Sequence, residues 1–309
     1  MSRHNRICVK DAIHHCYQRT KDGFIIFYSV SDYLVFFTLL CTVAPRYSIR
    51  IVAIAIMLDH IHLSVIAPSW LDLWRFMQQL QSMFVKEHNA TCHRKGSFFR
   101  SPFGSAPKAS DKQVRTNIAY VANNPVERHL AQYAEEYRWT FLAYAVSNHP
   151  FSKAITKRKS SKELKQAVSI VDSTHASGTH LRYSVLQKMF GRLSKEECNQ
   201  LTDYIIAKYS IIDYQTAISF YGSYEKMITA IHSNTGSEYE IKERNTGKRD
   251  DVYSKITSIL MNTGRFKDIH DVLSLNAEKK IELFSYLLGK TEATPHQIAK
   301  YLRVVITTQ

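Results

Sequence analysis

The chain is short of the residues that mark fibrous, disordered or stapled proteins. Its 309 residues include only 10 Gly and 7 Pro, which excludes collagen-like and Pro/Gly-rich disordered architectures. Cysteine is scarce and odd in number, and Cys8, Cys16, Cys41, Cys92 and Cys198 contain no C-x-x-C pair. This argues against a disulfide framework and fits reduced thiols in a cytosolic protein. Cys92-His93, close to His88, lacks the spacing of a structural zinc site. Long apolar runs are missing too. The most apolar stretch, Leu34 to Ala44, is too short to cross a bilayer and reads as a buried helix. Met1-Ser2-Arg3-His4 has no apolar signal-peptide core, so no membrane association is expected. No G-x-x-x-x-G-K-[ST] loop occurs, so no energy input from ATP is expected.

What is present is a globular composition, 45% hydrophobic, long enough for two domains each with its own core. The formal charge is +14. Residues 1–150 carry 17 Lys+Arg against 10 Asp+Glu, and the remainder 24 against 17, so both halves are basic by the same +7. A basic balance spread over both halves suits a polyanion that touches both, although charge alone also serves solubility.

The chain reads as an alternation of strands and helices up to about residue 150. Residues 13–20 and 23–30 are extended segments around Lys21-Asp22-Gly23. Ser31 is placed to cap a helix over Asp32–Thr42, which Pro45 ends. Ser48–Met57 is a buried strand and His60–Ile66 the strand after it. A helix runs from Leu71 to His88, with Leu73, Phe76, Met77, Leu80 and Phe84 on one face. Ser97–Phe103 is a strand or extended segment, and Asp111 caps a helix that carries Tyr120. The order β-α-β-β-α-β plus a helix is that of an α+β, ferredoxin-like antiparallel sheet sandwich. Three regions are expected: 1–150, a basic linker 151–165, and a mainly α-helical C-terminal domain, 166–309.

Lys153, Lys157, Arg158, Lys159, Lys162 and Lys165 face only Glu163 in the linker. The stretch reads as solvated, and phosphate contact is compatible with that. Beyond it, Ser194-Lys195-Glu196-Glu197 forms a capping box, and a further helix is expected near Ser223–His232. Asn-Thr-Gly at 234–236, 245–247 and 262–264 reads as turn or helix-ending signals. Glu278–Leu288 is helical up to Gly289, and Thr294-Pro295 opens another helix. That last helix resembles the first of a helix-turn-helix, with an ordinary helical hairpin an equal alternative.

Chemistry concentrates at His60-Ile61-His62. Residues i and i+2 of a strand share a face, so both imidazoles can address one divalent cation while Ile61, Leu63 and Val65 face a core. Tyr120 follows 58 residues later in Tyr120-Val121-Ala122-Asn123-Asn124-Pro125. A tyrosine brought to such a cation can act as nucleophile on a phosphodiester. Asn124, at i+4 from Tyr120, shares its helical face and is a candidate third ligand. Because it precedes Pro125, it can instead cap a helix that starts there.

These words resemble the HUH single-strand transposases, and more closely their REP-associated tyrosine transposase branch. The resemblance spans about residues 10–146. It rests on His14-His15-Cys16-Tyr17-Gln18-Arg19, the segment Phe27 to Phe37, and Met57-Leu58-Asp59-His60-Ile61-His62-Leu63. It also rests on the stretch from Phe76 to Arg100, on Tyr120 to Val126, and on Tyr137-Arg138-Trp139-Thr140 with Tyr144. Leu58, Asp59 and Arg138 depart from the family's usual proline, asparagine and proline. Asp59 thereby adds a carboxylate beside the histidines.

The resemblance implies an HUH domain with Tyr120 as nucleophile and a 5′-phosphotyrosine intermediate. It implies Mg²⁺ or Mn²⁺ held by His60, His62 and Asn124, and single-stranded or hairpin DNA as substrate. Arg19, Lys95, Arg100, Lys112 and Arg115 flank the site as phosphate contacts. Phe98, Phe99 and Trp139 can stack on bases, although core packing is the expectation for each. A monomer or homodimer in the cytoplasm, associated with the nucleoid, is expected. The alternative is a non-catalytic single-strand or hairpin nucleic-acid-binding protein that retains the fold.

Overall fold

The computed structural model describes residues 9, 11–100, 102–156, 158–233 and 249–305. Lys157, the Asn-Thr-Gly triplets at 234–236 and 245–247, and residues 306–309 lie outside the described residues.

Four strands form one antiparallel sheet: β1 (Ile13–Arg19), β2 (Arg50–Ile56), β3 (His60–Ile66) and β4 (Gly104–Lys108), in the order β2-β3-β1-β4. With α1 (Val30–Val43) between β1 and β2, and α2 (Trp70–Thr91) between β3 and β4, this is the ferredoxin-like sandwich. Register is the feature that matters. Tyr17 faces His62, Arg19 faces His60 and His15 faces Ser64 across β1 and β3. The alternating side chains Cys16, Ile61, Leu63 and Ile54 point to the other face, into the core beneath α1 and α2. The histidine face is covered by α3 (Asp111–Glu127), through Ala55, Met57, Tyr120 and Val121.

Local signals explain most boundaries, with shifts. Ser29, not Ser31, caps α1, because Asp32 then sits at the third helical position and its Oδ2 accepts from the Tyr28 and Ser29 amides at 2.8 Å. Ser110 rather than Asp111 caps α3. Residues 24–28 are extended but pair with no strand, since Lys21–Gly23 closes into a 3₁₀ turn with Asp22 and Gly23 at positive φ. The fourth strand starts at Gly104, past the aromatic segment, in which Phe99 makes an isolated bridge to Thr20. At Gly104 a Cβ would come 2.1 Å from the Tyr17 ring, so glycine lets that ring lie across β4. Trp139 stacks on Tyr33 at 4.2 Å and 7°, and Phe99 is buried, so both serve the core.

The C-terminal residues wrap the sandwich. Helices α5 (Tyr183–Phe190) and α6 (Lys195–Tyr209) pack on α1, and α4 (Lys162–Ala176) packs on those two, all within the same apolar core. This explains why α1 is apolar all round: the sheet lies on one side and α5 and α6 on the other. The expected capping box at Ser194 is present. Next, α7 (Tyr214–Ser219) sits at the edge strand β2, where Asp213 N–H donates to Ile51 at 2.8 Å. The following helix, α8 (Tyr224–Ser233), docks on α3, and Asn123 Nδ2 donates to the Ile231 carbonyl at 2.7 Å. A second apolar cluster is formed by α9 (Val252–Asn262), α10 (Asp271–Ser274), α11 (Ala277–Leu288) and α12 (Pro295–Leu302) together with Ile25. Among the described residues no helix is long and apolar enough to cross a membrane.

One buried ionic network ties the halves together. Asp32 Oδ1 accepts from Tyr183 Oη at 2.6 Å and from His270 Nε2 at 2.8 Å. Arg303 donates from Nε to the Ile25 carbonyl and from Nη2 to His88 Nε2, both at 2.9 Å. Burial disfavours a charged imidazole at His270, but Asp32 and Asp268 outweigh it and push its pKa up to about 10. A free imidazole titrates near 6.5. The attraction to Asp32 is therefore fully present below about pH 6.5 and fades as pH rises towards 10. His270→Gln should cost about 3–5 kcal/mol in urea denaturation at pH 6, and clearly less at pH 9.5. An equal cost at both values would mean that His270 is uncharged in the fold.

Candidate functional site

Along β3, Ser64, His62 and His60 follow one another on the face beneath α3. The helix runs antiparallel to them and matches them step by step. Ser64 Oγ donates to Asn117 Oδ1 at 2.8 Å and so fixes the turn before Tyr120. The Tyr120 ring then meets His62 edge-on at 5.4 Å and His15 at 5.6 Å. Asn124 comes one turn later on the same helical face. Pro125 neither breaks nor starts a helix here, since α3 continues to Glu127. Asn124 lies inside α3 rather than capping a new one, and its Nδ2 donates to the Tyr120 carbonyl at 2.9 Å. That leaves Oδ1 as the amide atom with ligand chemistry.

The two histidines are arranged as ligands would be. His60 and His62 are 3% and 0% exposed, with ring centroids 4.9 Å apart. Each Nδ1 has a partner: Asp59 Oδ1 at 2.5 Å for His60, and His15 Nε2 at 3.0 Å for His62. With the ring proton on Nδ1, each Nε2 carries its lone pair outward, and both Nε2 atoms are buried with no hydrogen-bond partner. Two orphaned imidazole nitrogens with their far sides held by outer partners fit a divalent cation. Burial, reinforced by His60 and His15, holds the His62 pKa well below the usual imidazole range and so keeps the lone pair available. No group of three His, Cys, Asp or Glu side chains is placed to hold an ion among the described residues.

Asp59 is hydrogen-bonded to His60, and its position gives it a role. Burial works against its charge, but His60, Arg128 and Lys300 prevail and keep it ionised. The carboxylate therefore orients the His60 ring and adds negative charge on its Nδ1 side. Close by, Asp250 is buried and its pKa is raised to about 6, despite Arg128 Nη1 at 3.5 Å.

An open pocket of about 820 Å³ leads to His60, lined by Arg19, Lys21, Asp59, Arg100, Arg128 and Lys300 among others. Of the expected phosphate contacts, Arg19 and Arg100 meet here, joined by the bond from Arg100 N–H to the Arg19 carbonyl at 2.8 Å. Lys95, in the turn after α2, and Lys112 and Arg115, on the first turns of α3, are exposed and do not line it. Sequence reasoning missed His15, Arg128 and Lys300. For His15 the signal was present, two residues from Tyr17 on a strand facing the histidines. Arg128 continues the Tyr120–Asn124 face by one more turn. Nothing in the sequence points to Lys300. Tyr120 is 3% exposed and lies behind the histidines rather than on the pocket wall.

Residues 8–124 match the family described as "Transposase IS200 like". A solved structure of a REP-associated tyrosine transposase bound to a REP hairpin aligns with 50% of this chain and 94% of its own, at 15% identity and a TM-score of 0.41. No curated protein matches the chain.

Gly23 forms part of the pocket rim at φ +66°, and a Cβ there would lie 3.0 Å from Lys300 Nζ. Gly23→Ala should therefore destabilise the protein by about 1–2 kcal/mol in urea denaturation, from the left-handed backbone alone. An unchanged midpoint would show that the turn relaxes out of positive φ at no cost.

Proposed function

We propose that the IS200-like transposase region at residues 8–124 is the catalytic part of a metal-dependent single-strand DNA endonuclease and strand transferase. The observation that carries this reading is the pair of buried, partnerless Nε2 atoms of His60 and His62 beside the ring of Tyr120. His60, His62 and the Asn124 amide oxygen would hold Mg²⁺ or Mn²⁺. A cation there would supply Lewis-acid polarisation of a phosphate oxygen and offset the high pKa of a phenol.

The protein's own groups do the rest. Arg19 and Arg100 neutralise strand phosphates at the pocket mouth. Asp59 and His15 hold the two imidazoles in the tautomer that ligates. Tyr17, 38% exposed and cross-strand from His62, offers a face on which an unpaired base can stack. Tyr120 Oη attacks phosphorus and displaces the 3′ oxygen. The phenol loses its proton and the departing 3′-hydroxyl gains one, which leaves a 5′-phosphotyrosine. Because the phosphoester bond is conserved in that link, a second 3′-hydroxyl reverses the step and joins a strand. Tyr120 is buried, so reaction requires α3 or the covering segment around Tyr137 to shift. The alternative, binding of single-stranded or hairpin nucleic acid without chemistry, needs no such movement.

The covalent link gives the test. With a single-stranded or hairpin oligonucleotide and Mn²⁺, the protein should form a denaturant-resistant adduct, and Tyr120→Phe should form none while binding the strand within about threefold of the parent. The same oligonucleotide annealed to its full complement should not react, because opening each base-pair step costs about 1.4 kcal/mol. Adduct formation by Tyr120→Phe would remove Tyr120 from its role. Tight binding with no adduct from the parent would favour the non-catalytic reading.

A further inference from the structure

The pocket beside His60 is not built by the transposase region alone. Arg19, Lys21 and Arg100 come from that region, while Arg128 lies just past it and Lys300 arrives from α12, near the other end of the chain. The docking of α12 is specific. Ile25 N–H donates to the Lys300 carbonyl at 3.4 Å, Tyr28 Oη donates to the Tyr301 carbonyl at 2.7 Å, and Arg303 Nε donates to the Ile25 carbonyl. Ile298, Tyr301 and Leu302 are buried in the cluster that includes Ile25. Packing thus sets the position of Lys300, with its ammonium over Gly23 and 3.8 Å from Asp59 Oδ2.

Among the described residues, five lining cations face two lining carboxylates, Asp22 and Asp59. An ammonium has three donors, and a 3.8 Å approach to one carboxylate oxygen is an ion pair without a hydrogen bond. Arg128 has five donors and meets Asp250 at 3.5 Å. The side chain of Lys300 keeps 19% exposure, on the side of the open pocket. We propose that the C-terminal helical region completes the strand-binding site, with Lys300 and Arg128 holding a backbone phosphate of single-stranded DNA next to the one that reaches the histidines. The proposal rests on the single-strand reading above. It assigns the C-terminal helices a direct part in substrate binding.

The test uses the full chain carrying Tyr120→Phe, so that binding is read without cleavage. Fluorescence anisotropy would follow a labelled single-stranded oligonucleotide across a salt series, for Lys300→Ala, Lys300→Arg and Lys279→Ala, the last on an exposed part of α11. Lys300→Ala should weaken binding about tenfold at low salt and lower the salt slope by about 0.7, the value of one phosphate contact on a single strand. Lys300→Arg should restore most of both, and Lys279→Ala should change neither. Melting temperatures would confirm that each variant is folded, with Lys300→Met as substitute should Lys300→Ala be unstable. Unchanged affinity and slope in the folded Lys300 variant, while the unsubstituted chain forms its adduct, would overturn this assignment alone. Lys300-dependent binding with no adduct would keep it and remove the catalytic reading. Tighter binding by Lys300→Ala, or no binding by the parent, would overturn it outright.

Discussion

The site depends on the antiparallel register between β1 and β3. Tyr17 faces His62 and Arg19 faces His60, so a row of polar groups occupies the face under α3 while Cys16, Ile61 and Leu63 fill the other. A slip of one residue would turn both imidazoles into the apolar core under α1 and α2 and bring Ile61 and Leu63 under α3 in their place. The cost of that exchange, buried imidazoles that lose Asp59 and His15 and an Asn117 amide that loses Ser64, makes the register strongly specified. Ser64 extends the same row to Asn117 and so transmits the register of the sheet to the helix that carries Tyr120.

A second constraint follows from where polar groups are buried. Asp32, His88, His270 and Arg303 lie inside the protein, where each needs a partner. The partners come from both halves of the chain: Asp32 and His88 from the sandwich, His270 and Arg303 from the C-terminal helices. Removing either half would leave buried charge uncompensated. The helices are thus held to the sandwich by polar as well as apolar contacts, and α12 arrives at the pocket as part of that arrangement. The odd neighbours of the site, Asp250 beside Arg128 and Lys300 beside Asp59, follow from it.

Much of the sandwich was legible because its signals are local. Alternation around His60–Ile66, the apolar face of α2 and the turn at Asp59 all depend on neighbours within a few residues. Boundaries moved where tertiary bonds competed. Ser29 won over Ser31 because Asp32 completes a capping box, and Phe98 and Phe99 gave way to Gly104 as the start of the fourth strand because their rings belong to the core. The shared face of Tyr120 and Asn124 was readable from i+4 spacing, and the helix then ran through Pro125 without a break. Lys300 and Asp250 were invisible for the opposite reason. They reach the pocket through contacts that span the length of the chain, which no window of sequence contains.

The central claim is that the Nε2 atoms of His60 and His62 present a divalent-cation site. Its most direct measurement is a Mn²⁺ titration of the full chain, followed by electron paramagnetic resonance of the free ion, for the parent and for His60→Ala and His62→Ala. The account predicts one bound Mn²⁺ per chain in the parent and at least a tenfold weaker site in each variant, since each loses one of two imidazole ligands. Equal Mn²⁺ binding by the parent and by both histidine variants would contradict it.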